Sequence, residues 1–225
     1  MITFINGVKL PNSMEQKVLG ILNHPIESLG GIKDELLERG FKVEERLATE
    51  LRGNEDFDAL VIMGGPMGVY EADRYPFLYT EMELIRRAVK EGKRVLGVCL
   101  GSQLISASLG GIVTKGHFGP EIGMSKVRLL PKLGDKEIEV FQWHGDTFTL
   151  PQGAELLAYS DKYFQAFSLG KVLAVQFHLE VDSKMVKRWV EEYKGDPKLV
   201  EEVREKEEVL RRNLKFLMDW WLSQK

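Results

Sequence analysis

Apolar residues in this chain come in short runs, separated by stretches in which they recur at helical spacing. Residues 17–22 (Lys-Val-Leu-Gly-Ile-Leu) read as a first strand, which His24-Pro25 ends. Gly30-Gly31 opens a helix with Ile32, Leu36 and Leu37 on one face, and Gly40 stops it. Residues 41–47 and 59–63 read as further strands. Pro76 starts a helix carrying Met82, Ile85 and Val89 at helical spacing, and Gly92 ends it. Strand 94–98 and helix 101–109 follow, closed by Gly110-Gly111. This alternation predicts an α/β fold with a doubly wound, mostly parallel central sheet flanked by helices. Chemistry in such folds sits at the carboxyl ends of the strands, where Gly64, Cys99 and His178 fall.

From residue 112 the pattern changes to shorter strands at 124–130, 137–142, 155–160, 164–168 and 172–177. They read as a small, largely antiparallel annex. Two helices fill 182–225, with Lys194-Gly195 ending one, Asp196 as N-cap and Pro197 at the first helical position of the next. Leu210, Leu214, Leu217 and Trp221 form an apolar stripe on the last helix. Packing on the domain's own core is the expectation; a subunit contact in a homodimer is the alternative. The whole of 1–225 reads as one domain, with 1–16 as an N-terminal extension.

Composition narrows the function classes. The chain has 225 residues, 44% of them hydrophobic, enough for a full α/β core. A net charge of −3 gives no reason to expect a nucleic-acid or anionic-membrane partner. No apolar run approaches the roughly 20 residues of a membrane span. The first residues lack a basic region and an apolar core, and one cysteine excludes an internal disulfide, so a cytoplasmic location is expected. Abundant Glu and Lys hints at a thermophilic source. His and acidic residues are too scattered for a metal site, and no cofactor is called for.

The single cysteine carries the chemistry. Cys99 stands in Gly97-Val98-Cys99-Leu100-Gly101, between a buried strand and a helix. That is the pattern of a nucleophile elbow: glycines two residues to either side avoid crowding between strand and helix, and the helix N-terminus favours a thiolate. Of four histidines, His178 follows the run Val172–Phe177 and precedes Glu180 by two. In extended backbone those two side chains share one side, so Glu180 can accept the imidazole N–H and leave the other nitrogen free for the thiol. His24 reads as a loop histidine near the strand ends. The glycine-rich loop 115–123, with His117 and Glu121, reads either as the acceptor side of the site or as a plain connection.

Gly97-Val-Cys-Leu-Gly-Ser-Gln103 together with Gln176-Phe-His-Leu-Glu180 resembles the class I (triad) glutamine amidotransferases. Asp58 to Gly68 is similar to that family's strand and Gly-Gly-Pro oxyanion loop, and Trp143-His144-Gly145-Asp146 resembles a segment of the GMP-synthetase-like branch. The four motifs run in the family's order from about residue 58 to 180. Leu179 departs from the pattern, since the family usually has proline there; no reacting atom is lost by the change. The resemblance implies a flavodoxin-like fold and a reaction in which Cys99 attacks a glutamine side-chain amide, His178 moves the proton and Glu180 orients His178. A γ-glutamyl thioester forms and water releases glutamate. It further implies oxyanion donors at the Gly65 and Leu100 N–H groups, and substrate contacts from Gln103, Gly64 and the backbone of Trp143, His144 and Gly145.

What uses the ammonia is not legible. The chain carries no Gly-x-x-x-x-Gly-Lys-Ser/Thr phosphate loop, so a separate synthetase subunit would have to consume it. The leading alternative is a γ-glutamyl peptidase or hydrolase, which forms the same thioester with a different leaving amine. A non-catalytic regulatory or binding subunit is the alternative of another class, against which the intact Cys99, His178 and Glu180 argue.

Overall fold

The computed structural model describes residues 15–225 and, before them, the backbone of β1 (Phe4–Ile5) and β2 (Val8–Lys9), which pair antiparallel. The extension read at 1–16 therefore lies largely outside the described residues. The chain continues through β3 (Lys17–Leu22), α1 (Gly31–Glu38), β4 (Lys42–Leu47), β5 (Ala59–Ile62), α2 (Phe77–Lys90), β6 (Arg94–Val98) and α3 (Leu100–Ser108). Then come β7 (Val113–Lys115), β8 (Glu121–Leu129), β9 (Glu137–His144), β10 (Asp146–Phe148), β11 (Glu155–Tyr159), β12 (Phe164–Leu169) and β13 (Val172–Val175), followed by α4 (Ser183–Tyr193) and α5 (Lys198–Ser223).

Among the described residues, nine strands form one sheet in the order β4-β3-β5-β6-β13-β12-β11-β8-β9. The first five are mutually parallel, the rest antiparallel. The antiparallel strands thus extend the main sheet, and β13 is the junction, parallel to β6 and antiparallel to β12. A separate two-stranded sheet pairs β7 with β10. These two three-residue strands carry too little apolar pattern to be read from sequence. The fold is the doubly wound, flavodoxin-like architecture expected.

Alternation along the strands explains the layering. Val18, Val61, Leu96 and Val98 face one side with α1, α4 and α5, while Leu19, Ile21, Leu60, Ile62 and Val95 face α2 and α3. Leu210, Leu214, Leu217 and Trp221 are buried within this chain, so the α5 stripe is core and not a free contact face. Asp196 Oδ1 accepts from the Lys198 N–H at 2.9 Å, and Pro197 already has helical backbone, which agrees with the predicted helix start. Among the described residues no helix is long and apolar enough to cross a membrane.

One closure matters for the site. β9 pairs with β8 along its length, yet Phe141 also exchanges two backbone hydrogen bonds with His178, at 3.0 and 2.8 Å. The antiparallel half of the sheet curls back to the chain just beyond β13. This brings the end of β9 against the turn after β6.

Candidate active site

Cys99 occupies the tight turn between β6 and α3. Its φ of 54° and ψ of −112° lie in a region that side chains other than glycine rarely adopt. The neighbours show what holds it there. A Cβ on Gly101 would lie 2.0 Å from the Ile62 carbonyl oxygen, and one on Gly97 would lie 2.6 Å from Gly101 backbone. Strand and helix approach so closely that the turn has no slack. The Cys99 N–H is tied to the Val175 carbonyl at 2.9 Å, joining the elbow to β13.

His178 and Glu180 stand beyond the end of β13, both buried. Glu180 Oε2 and Oε1 lie 2.9 and 3.1 Å from His178 Nδ1. The Cys99 sulfur is near enough to the ring to act on its charge. Burial alone would depress the imidazole pKa. The Glu180 carboxylate and the Cys99 contact outweigh it and hold His178 well above the usual histidine range. Trp189 packs edge-on against the ring, centroids 5.0 Å apart, and fixes its plane.

The sulfur has two further polar neighbours, the Trp143 carbonyl and Gln176 Nε2, each at 3.7 Å. Gln176 Oε1 in turn accepts from Gln103 Nε2 at 3.1 Å. The Gln103 amide nitrogen, also 3.4 Å from the Asp146 carbonyl, is thus engaged within the protein. The Gly65 and Leu100 N–H groups have no acceptor among the described residues, and both residues face the same cavity. This cavity, about 460 Å³, is also lined by Cys99, Gln103, His178, and Trp143 to Asp146.

Of the expected residues, two do not line the cavity: Glu180 stands behind His178, on its Nδ1 side, and Gly64 sits just behind the wall, where a Cβ would lie 3.4 Å from Cys99 Cβ. His144 contributes backbone only. Its ring is buried, with Nδ1 2.7 Å from the Asp146 carbonyl and Nε2 2.9 Å from Glu121. The Glu121 carboxyl, although burial pushes it up, is held below its ordinary pKa by His144, Ser160 and Gln165. In the loop 115–123, Pro120 and Ile122 line the cavity and His117 is exposed. His24 lies outside the lining, against Tyr193 and Glu192.

Sequence reasoning missed Glu27, Trp189 and Tyr193, which complete one wall. An acid three residues past His24, at the carboxyl end of the first strand, was the available signal for Glu27. Trp189 and Tyr193 gave none, because α4 reads as an ordinary amphipathic helix. Among the described residues no cluster of three His, Cys, Asp or Glu is placed to hold a metal.

An elbow cysteine, a buried His–Glu pair and a glycine loop at the ends of parallel strands define a class of cysteine-dependent amide-cleaving domains. The family model for glutamine amidotransferase class I matches residues 29–192, and the chain belongs to that family. A crystal structure of a glutamine amidotransferase from Thermotoga maritima superposes with a TM-score of 0.85 at 35% identity, covering 93% of this chain and 99% of that one. One from Methylobacillus flagellatus gives 0.84 at 25%, covering 94% and 97%. GMP synthase (glutamine-hydrolyzing) from Bdellovibrio bacteriovorus is 36% identical over 154 residues, 65% of this chain but only 29% of that enzyme. Gamma-glutamyl peptidase 4 from Arabidopsis thaliana is 26% identical over 178 residues, 73% of this chain and 70% of that one.

Proposed function

We propose that this chain hydrolyses the side-chain amide of glutamine through a γ-glutamyl thioester on Cys99, passing ammonia to a separate synthetase. The observation that carries the reading is the buried Glu180–His178 pair set against a cysteine in strained backbone. Cys99 thiolate attacks the amide carbon. The Gly65 and Leu100 N–H groups stabilise the oxyanion, each worth about 3 kcal/mol. His178 gives its proton to the departing nitrogen, and then activates the water that releases glutamate.

A second reading, γ-glutamyl peptidase, is supported by the cavity. At about 460 Å³ it falls within the roughly 300–1,000 Å³ of sites that bury drug-sized ligands, leaving room beyond a glutaminyl group. Met67, Tyr70 and Ile122 line it and suit a larger leaving group.

Two measurements test these readings. A diazo-ketone glutamine analogue should leave one adduct, on Cys99, by mass spectrometry, and Cys99→Ser should abolish turnover. Labelling elsewhere, or an active serine variant, refutes both. Purified chain assayed on glutamine and γ-glutamyl dipeptides separates them. A peptidase shows kcat/KM on a dipeptide well above that on glutamine. An amidotransferase ignores the dipeptide and is slow on glutamine until its partner is added. Fast glutamine hydrolysis by the chain alone contradicts both and indicates a plain glutaminase.

A further inference from the structure

Among the described residues, three acidic ones line this cavity, Glu27, Glu71 and Asp146, and of these Glu27 alone is buried. Glu27, in the loop after β3, is 6% exposed and lines the cavity with Cys99 and His178. Its Oε2 accepts the Tyr193 hydroxyl at 2.5 Å. Its Oε1 receives no hydrogen bond from any described residue. A Cβ on Gly64 would lie 2.7 Å from that oxygen and 3.4 Å from Cys99 Cβ, so the carboxyl is within a side chain's reach of the nucleophile.

The loop that carries Glu27 is fixed from α4. Trp189 Nε1 donates to the Ile26 carbonyl at 2.9 Å, while the same ring packs on His178. Tyr193 packs edge-on against Trp143, 6.0 Å between centroids. Glu27 therefore sits on the side of Cys99 where His178 and its proton are. Burial raises the Glu27 pKa, against the Tyr193 hydrogen bond and the charge of His178. Burial weakens the solvation of this carboxyl group, and Oε1 is left free of donors from the described residues at the cavity, so a cation arriving there finds an open acceptor.

Amide cleavage creates such a cation. The Sγ–C bond forms and the carbonyl π pair moves to oxygen. His178 then passes its proton to nitrogen, which carries positive charge until the C–N pair leaves with it and the C=O bond reforms. We propose that Glu27, held by Tyr193, receives this departing nitrogen: Oε1 accepts its N–H and offsets its charge as the C–N bond breaks. The assignment rests on the amidase reading above.

The test compares amide with ester. The leaving oxygen of γ-glutamyl methyl ester has no N–H and no positive charge, so it gains nothing from Glu27. In the full chain, Glu27→Gln should lower kcat/KM for whichever amide the wild type cleaves, glutamine or γ-glutamylalanine, by about 10- to 100-fold and change that for the ester less than twofold. Tyr193→Phe should give a smaller loss with the same split. If the glutamine variant fails to fold, Glu27→Asp, which keeps the charge but withdraws it by one methylene, must show the split. Equal loss on amide and ester, or unchanged amide turnover, overturns the proposal. A wild-type chain with no measurable turnover of either amide, not even the slow hydrolysis of glutamine, overturns the amidase reading and this proposal with it; cleavage of amide and ester without a split overturns this proposal alone.

Discussion

Glu81 is buried in α2 with no charge partner among the described residues, and its pKa is pushed up to about 8 by burial, with the Asn23 hydrogen bond pulling the other way. Asn23 Nδ2 donates to Glu81 Oε1 at 2.8 Å and to the Met63 carbonyl at 3.1 Å, just before the Gly64–Gly65 loop. Asn23 Oδ1 and Glu81 Oε2 have no hydrogen-bond partner among the described residues. A proton on Glu81 at neutral pH turns one of those acceptors into a donor. The folded pKa exceeds the ordinary carboxyl value of 4.5, so the stabilising contribution is complete below about 4.5 and is lost as pH rises to about 8. Glu81→Gln keeps the hydrogen-bonding shape without the ionisation. Its Tm should exceed that of wild type increasingly from pH 5 to 9, by a few kcal/mol in stability at the alkaline end. Parallel melting curves would refute a protonated Glu81. His178 gives the opposite kind of test. Its raised pKa keeps the imidazolium present to higher pH, and Glu180 is the main cause of the rise. Glu180→Gln should lower kcat at least about tenfold and move the alkaline limb of the rate profile down in pH. His178→Ala should cost about 10²–10⁴-fold. An unmoved limb would remove Glu180 from the proposed triad and leave a Cys–His pair.

At the scale of elements, the elbow works because β5, β6 and α3 touch backbone to backbone. Gly101→Ala places a carbon 2.0 Å from the Ile62 carbonyl and should destabilise by about 1–3 kcal/mol or more. Gly145→Ala meets nothing within 4 Å and should leave stability within about 0.5 kcal/mol. Denaturant midpoints for the pair check this; equal effects would mean that the elbow relaxes easily. Both flanking glycines were legible because their spacing around Cys99 has one steric purpose. The His178–Glu180 pair was legible from its two-residue spacing, although the strand ends at Val175 and the backbone bends on both sides of His178 instead of running on extended. β7 and β10 were not, since three-residue polar strands carry no periodic signal. Glu27 was not, because a single acid in a loop looks like any solvated residue until burial is known.

The whole molecule depends on covering both faces of the sheet. Trp221 is fully buried in α5, and its Nε1 donates to the Lys171 carbonyl at 3.1 Å, beside the start of β13. Trp221→Ala should cost about 3–5 kcal/mol by equilibrium unfolding, with the cavity at Cys99 unaltered where the chain stays folded. A loss below about 1 kcal/mol would show that α5 packs on the sheet only loosely. The local pattern of this chain determined the strand–helix alternation, the elbow, the order of the motifs and the side on which chemistry falls. Each of these follows from spacing along a few residues. Tertiary structure alone decided that the antiparallel strands extend the main sheet and curl back through Phe141 to His178, setting the Trp143 carbonyl at the Cys99 sulfur. It also decided that α4 lays Trp189 and Tyr193 over the loop carrying Glu27. These contacts join residues far apart in the chain. Their partners are chosen by which apolar faces remain uncovered once the sheet has formed, and no local periodicity encodes that choice.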